Sequence, residues 1–221
     1  PVRVIVGSAP GGGADFLART VAGKLSDAWG SQFVVENIAT GIGGILALNT
    51  TYRSAPDGYT LQNTSGSTFQ NAMFTARVEY DVRKAFTPIV QLTISPSYMA
   101  FYPGAPFRTL AEMLADARIN PGRLNFGSSG VGSGAHLAGE LLADMAGVKL
   151  THIPYKGAGQ STIDAMGGRI EIVFGSPAAI TPHVRSGKLR GIAITAARRM
   201  PAQPGVPTLD ELGIKGYEYV S

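Results

Sequence analysis

Five short stretches of the chain concentrate glycine and hydroxyl side chains. They are residues 8–15, which include Gly11-Gly12-Gly13, then 64–68, 127–133, 155–160, and Gly175-Ser176-Pro177. Each follows a segment that reads as a strand and precedes one that reads as a helix. At such a junction the first N–H groups of the helix are unpaired and carry a partial positive charge, and glycine lets the backbone come close to a ligand. The chemistry on offer is anion binding: a carboxylate can be held there without a charged side chain. A lone Gly-Gly-Gly or Ser-Ser-Gly is only a tight turn. Five of them at the ends of predicted strands point to a shared task, because ligands of open α/β sheets bind beyond the carboxyl ends of the strands.

Residues for covalent or metal chemistry are sparse. His136, His152 and His183 are the only histidines, and no His-x-x-x-His or His-Glu-x-x-His pair occurs. Ser65, Ser129 and Ser133 all lack the Gly-x-Ser-x-Gly setting of a nucleophile elbow. His136 stands three residues after Ser133 on a predicted helix, where it either lines a cleft or packs, and no acid and nucleophile are spaced to use it. Gly7–Gly13 lacks the Gly-Lys-Ser/Thr ending of a phosphate loop. Neither it nor Gly127-x-x-Gly130-x-Gly132 has the dinucleotide order Gly-x-Gly-x-x-Gly. Asp15 reads as a carboxylate at a helix N-terminus that organises its loop. Lys156, just after a strand, reads equally as a solvated charge or a ligand contact. Trp29, near a helix end, reads as a core or surface-edge aromatic.

Composition narrows the classes further. The 221 residues are 44% hydrophobic and 15% charged, so the chain is globular rather than disordered. The basic residues behind the formal charge of +4 form no run, with Arg198-Arg199 the tightest pairing, which argues against a nucleic-acid surface. Without cysteine there are no disulfides, thiolate zinc sites or thiol catalysis. No apolar run approaches the roughly 20 residues that span a bilayer. Pro1–Val6 reads as a first strand and not as a charged leader, so no export signal is expected in the sequence as it stands.

The elements that must carry these loops occur in two series. Val2–Val6 is β-branched, as in a strand buried on both faces of a parallel sheet. Leu17, Val21, Leu25 and Ala28 then follow helical spacing, with Gly30 as the stop. Strands at 33–35 and from Thr60 flank a helix at 45–52. After an extended stretch near 91–97 a second series begins with a strand at 98–102. A capping box at Thr109 and Glu112 opens a helix that runs to about Arg118. Strands at 124–126, 151–154, 170–174 and 189–195 alternate with helices that include Leu137–Met145, 162–166 and one begun by Ser176-Pro177. Thr208 and Glu211 form another capping box. This rhythm predicts parallel α/β sheets in two lobes.

The residues also resemble a known family. Val4-Ile5-Val6 with Ala9-Pro10-Gly11-Gly12-Gly13-Ala14-Asp15-Phe16-Leu17-Ala18-Arg19 is similar to the opening of the Bug family, the substrate-binding proteins of tripartite tricarboxylate transporters. The likeness continues through Val34-Val35-Glu36-Asn37, Gly41-Ile42-Gly43-Gly44 and Pro56-Asp57-Gly58-Tyr59-Thr60-Leu61. It resumes at Asn120-Pro121-Gly122, Ser128-Ser129-Gly130-Val131-Gly132-Ser133, His136-Leu137-Ala138-Gly139-Glu140-Leu141 and His152-Ile153-Pro154-Tyr155-Lys156-Gly157. Gly187-Lys188-Leu189-Arg190 and Pro207-Thr208-Leu209-Asp210-Glu211 complete the set. Three departures stand out. Ala14 replaces a usual Thr, and Gly175-Ser176 replaces a frequent acidic residue. Gly216-Tyr217-Glu218 resembles a point well before the family's usual C-terminus.

The resemblance implies an α/β, type II-like periplasmic binding-protein fold with two lobes, the first incomplete at its C-terminus. Residues 1–95 and 196–221 are expected to form lobe I, and 96–195 lobe II. A small carboxylate, a dicarboxylate or an aromatic acid, is expected between the lobes, with hinge closure on binding. Pro10, Gly11, Gly12, Gly13, Ala14, Asp15, Thr64 and Ser65 would meet it from the first lobe. Ser128, Ser129, Gly130, Ser133, His136, Lys156, Gly157 and Ser176 would meet it from the second. The implied location is the periplasm and the implied partner a membrane permease. No catalysis, metal, cofactor, nucleic acid or membrane insertion is expected. The alternatives are a hydrolase-like enzyme that uses Ser133 or His136, and a ligand-sensing signalling module.

Overall fold

In the computed structural model, residues 1–8, 10–11, 13–38, 44–74, 78–155 and 158–221 are described, and the chain forms two units, Pro1–Val90 and Gln91–Ser221. The first unit is built on β1 (Val2–Val6), β2 (Phe33–Asn37) and β3 (Thr60–Asn63), with β1 in the middle and both neighbours parallel to it. The central position explains β1's β-branched composition, since Val4, Ile5 and Val6 are all buried. Helix α1 (Gly13–Trp29) lays Ala18 and Ala22 on the sheet beside Phe33. The predicted face of larger residues falls to the side: Leu17, Val21 and Leu25 are only half-buried and Ala28 is exposed. Small side chains at the centre of the contact bring the helix close to the strands. Trp29 is exposed and packs edge-on against Phe33, with ring centroids 5.7 Å apart.

Helices α2 (Ile45–Tyr52), α3 (Gly66–Phe74) and the short α4 (Val82–Ala85) complete this unit, and Leu48, Ala72 and Val82 form a second small core. Gly7 and Gly44 meet closely: a Cβ on Gly7 would lie 3.0 Å from the Gly44 Cα. Gly44 has φ +81°, a conformation that favours glycine.

The second unit has β4 (Tyr98–Phe101), β5 (Asn125–Ser128), β6 (Thr151–Pro154), β7 (Ile172–Gly175) and β8 (Arg190–Ile194) in the order β6-β5-β7-β4-β8. The expected all-parallel sheet is corrected here, because β4 is antiparallel to both β7 and β8. All four residues of β4 are buried, as in a parallel core strand, so its composition carries no sign of direction. Alternation along β4 and β7 sends Met99, Phe101, Ile172 and Phe174 to one face and Tyr98, Ala100 and Val173 to the other. Helices α5 (Leu110–Ile119) and α6 (Gly134–Ala146) cover the first face, and α7 (Ala158–Met166) and α8 (Pro177–Arg185) the second. The capping box at Thr109 and Glu112 is present, and α6 ends at Gly147 with φ +62°.

Residues 196–221 also differ from expectation. They do not leave the second unit but pack on it, with Leu209, Ile214, Tyr217 and Tyr219 in the same core as Phe101 and Phe126. Tyr217 donates its buried hydroxyl to the carbonyl of Ala138 at 2.7 Å. Thr208 and Glu211 exchange the two hydrogen bonds of a capping box at 3.1 Å each, yet only a turn follows, closed by Gly213 at φ +105°. The apolar anchors of this segment outweigh a boundary drawn from strand rhythm. The boundary itself lies at 90/91 instead of 95/96. Among the described residues, no helix is long and apolar enough to cross a membrane.

Candidate functional site

In the first unit the three parallel strands end on one edge, at Val6, Asn37 and Asn63. Asp15, in the first turn of α1, is 3% exposed and ties that edge together. Its carboxylate accepts the Gly11 N–H at 2.9 Å, the Asn37 amide at 2.9 Å and the Arg19 guanidinium at 3.0 Å. The bonds from Arg19, Gly11 and Asn37, taken in that order, pull its pKa down to about 2. Asn37 also donates to Ser8 O at 3.0 Å, and Asn63 donates to Ala14 O at 2.8 Å. Asp15 therefore positions the loop that carries Pro10 and Gly11, and its oxygens are already engaged.

The Thr64–Ser65 turn runs into α3. Ser65 Oγ lies 2.8 Å from Ser67 Oγ and 3.2 Å from Thr68 Oγ1, and Thr64 is half-buried. Ser8 Oγ is buried and has no hydrogen-bond partner, an unspent polar group on the same edge. Gly13 and Ala14 open α1. Gly12 lies outside the described residues.

In the second unit β5, β6, β7 and β8 run in one direction, so Ser128, Pro154, Gly175 and Ile194 end on a common edge, where antiparallel β4 begins. Ser133 is the N-cap of α6 and accepts the His136 N–H at 3.3 Å, and Ser176 caps α8 by accepting the Ala179 N–H at 3.3 Å. Pro177 sits at the start of α8, where its missing N–H costs nothing. Ser129 and Gly130 are half-buried, and Gly130 has φ +129°. Lys156 and Gly157 lie outside the described residues.

Sequence reasoning named His136 and passed over its neighbour His152. The parallel register pairs Phe126 with His152, which brings the His152 ring onto the face covered by α6. The two imidazoles stack with centroids 3.9 Å apart, and His152 also lies on Phe126 at 5.0 Å. Gly139 makes this possible, since a Cβ there would fall 2.3 Å from the Phe126 ring. His136 Nδ1 accepts the Gly132 N–H at 3.0 Å, which assigns its proton to Nε2, 3.6 Å from Glu140. His152 Nε2 meets Ser128 Oγ at 2.6 Å. Burial, and then the His136 ring, push His152 down to about 4. Burial also lowers His136, against the opposing pull of Glu140.

A serine against a histidine invites a nucleophile reading, but Ser128 is fully buried and its hydroxyl also bonds Gly130 O at 3.0 Å. That oxygen is closed to a substrate carbonyl. Also missed was Thr195, whose buried hydroxyl accepts the Ser97 N–H and donates to Tyr219 O, both at 2.7 Å. Among the described residues no group of three or more histidines and carboxylates is placed to hold a metal ion.

The chain superposes on proteins of known structure. A protein of Rhodopseudomonas palustris, Rpa4515 with adipate, superposes with a TM-score of 0.86 and 32% identity over 99% of this chain and 73% of its own. The family described as tripartite tricarboxylate transporter family receptor matches residues 17–221. The chain belongs to this family. MatC of Rhodopseudomonas palustris with bound malate gives a TM-score of 0.82 at 30% identity, over 99% of this chain and 74% of its own. Protein BugT of Bordetella pertussis is 34% identical over 96% of this chain. This receptor-family chain spans a little under two thirds of the curated relatives it matches, 66% in the case of BugT. Its fold is that of the periplasmic solute-binding proteins, as the superposition on the periplasmic binding protein BugD shows, with a TM-score of 0.82 at 29% identity over 100% of this chain and 73% of the other.

Proposed function

We propose that the protein is a periplasmic receptor that binds a small dicarboxylate without chemical change and presents it to the membrane permease of a tripartite tricarboxylate transporter. The observation that carries this reading is the gathering of helix starts, glycines and hydroxyls at the carboxyl-end edge of each sheet. Such an edge offers a carboxylate several N–H donors in a fixed array, and charge-assisted bonds of this kind are the strong ones. The relatives that hold adipate and malate support a linear dicarboxylate over an aromatic acid. Pro10, Gly11, Gly12, Gly13, Ala14, Thr64 and Ser65 are assigned to contact in the first unit. Ser129, Gly130, Ser133, Lys156, Gly157 and Ser176 are assigned in the second. Asp15, Ser128 and the stacked His136–His152 pair hold those loops in place.

The hydrolase alternative is disfavoured at the two serines nearest the imidazoles, since Ser128 is buried and Ser133 Oγ caps α6. Calorimetric titration with malate, adipate, succinate and benzoate tests the reading. Binding of at least one dicarboxylate, recovered unchanged afterwards, is expected. A folded sample that binds none of them, or that returns a converted product, overturns it.

A further inference from the structure

The surface of the second unit carries a groove that runs along α8 from Pro177, at its start, to Arg185. Its apolar walls are Pro177 and Pro182 on one side and Met200 and Ala202 on the other, and it is shallow and broadly open to solvent. Two polar features of this groove are unfinished. Thr181 donates its hydroxyl to Pro177 O at 2.6 Å, so it can only accept from Gln203, which fixes the Gln203 amide with Nε2 toward Thr181. Gln203 Oε1 is then left buried with no hydrogen-bond partner. Pro182, inside α8, has no N–H to return to the carbonyl of Ala178, another residue of the groove. Both are acceptors, and the Ala178 carbonyl, on an exposed residue, is the one open to a donor from outside.

The charge around the groove has one sign. Between Glu171 and Asp210 the sequence contains no Asp or Glu, but it contains Arg185, Lys188, Arg190, Arg198 and Arg199. Arg199 is paired with Glu211 at 2.8 Å, and Arg190 is spent on the carbonyls of Pro103 and Phe107. Among the described residues Arg185, Lys188 and Arg198 are exposed and have no acidic partner. Arg185 lines the groove itself, and Arg198 stands two residues before Met200.

We propose that this groove docks an acidic segment of a partner protein. One apolar side chain of the segment sits between Pro182 and Met200, a backbone N–H meets the Ala178 carbonyl, and flanking carboxylates face Arg185 and Arg198. A peptide satisfies all three features at once, whereas a lipid surface supplies the charge but no ordered N–H donor for the Ala178 carbonyl. The site is independent of which acid the receptor binds.

The test is a selection of random dodecapeptides displayed on phage against the purified protein. Variants Arg185→Glu/Arg198→Glu and Ala202→Asp serve as counter-targets, each checked for unchanged circular dichroism and unchanged malate and adipate binding. Enriched peptides are expected to place Asp or Glu beside a large apolar residue and, as synthetic peptides, to lose about tenfold or more in affinity on either variant. Neutral or basic winners, winners that bind the variants as well as the parent, or no enrichment at all would each overturn the proposal. So would sedimentation with phosphatidylglycerol vesicles that Arg185→Glu/Arg198→Glu abolishes while the selected peptides still bind that variant, which would assign the surface to a membrane.

Discussion

The two units present the same kind of edge but hold it by different means. In Pro1–Val90 the buried apolar groups are small and split in two, Val2, Val4, Val6, Ala18, Ala22 and Phe33 in one cluster and Leu48, Ala72 and Val82 in another. The loops there are fixed by polar side chains: Asp15 to Gly11 and Arg19, Asn37 to Ser8, and Asn63 to Ala14. In Gln91–Ser221 a large core with Phe101, Phe107, Phe126, Phe174 and Tyr217 runs up to the edge, and the loops grow out of it through N-caps and the stacked imidazoles. A loop held by packing is coupled to the stability of its unit. A loop held by a few charged hydrogen bonds can lose its shape while the unit stays folded.

The largest expected effect comes from breaking the packed side. Phe126→Ala empties the site shared by Gly139, His152 and Phe174 and should cost the second unit about 3–5 kcal/mol, read by urea unfolding. Hydrogen exchange in β1–β3 should be unaffected, and equal loss of protection in both units would erase the distinction drawn here. Next in size is Thr195→Val. It leaves the Ser97 N–H and the Tyr219 carbonyl buried without their partner, at a cost of about 2–3 kcal/mol, and it should first release the segment after Thr195. The polar side is broken by Asp15→Asn. Here the expected result is a loss of about tenfold in dicarboxylate affinity with little change in unfolding midpoint, because the Gly11 loop is displaced while Ala18 and Ala22 remain packed. A large fall in stability with affinity intact would show that Asp15 serves the core instead.

What could be read from the sequence follows the same division. Local signals were reliable: the Thr109–Glu112 box, the Gly147 stop, Ser176-Pro177 and the β-branched run at Val2–Val6 each depend on neighbours a few residues away. The direction of β4 and the home of residues 196–221 were not legible, because both are decided by contacts across the chain, such as Tyr217 to Ala138. The Gly/Ser loops were legible as a class, since glycine and hydroxyl residues at strand ends carry their own reason. The role of His152 was not, because only the pairing of Phe126 with His152 brings its ring beside Ser128 and under His136. Asp15 was read correctly as an organiser of its loop, but its partner Asn37, 22 residues away, leaves no local trace.

The smallest effect separates the units by pH. All three histidines lie in the second unit, and the structure holds two of them, His136 and His152, below their ordinary value, His152 at about 4. Between pH 6.5 and 4.5 the unfolded chain therefore takes up protons that the folded unit refuses, so stability must fall as pH falls and level off above about 6.5. The carboxylates that bonding depresses lose their contribution only below their unfolded values, 3.8 for Asp15 and 4.5 for Glu211, which leaves this window to the histidines. Thermal melts across it should show the second unit losing stability while the first, which contains no histidine, stays level. His152→Gln keeps a polar group beside Ser128 Oγ but cannot titrate, and it should remove about half of the slope, with His136→Gln removing much of the rest. An unchanged slope in both variants would mean that the stacked pair is charged in the folded protein, and that Glu140, 3.6 Å from His136, outweighs the burial of the rings.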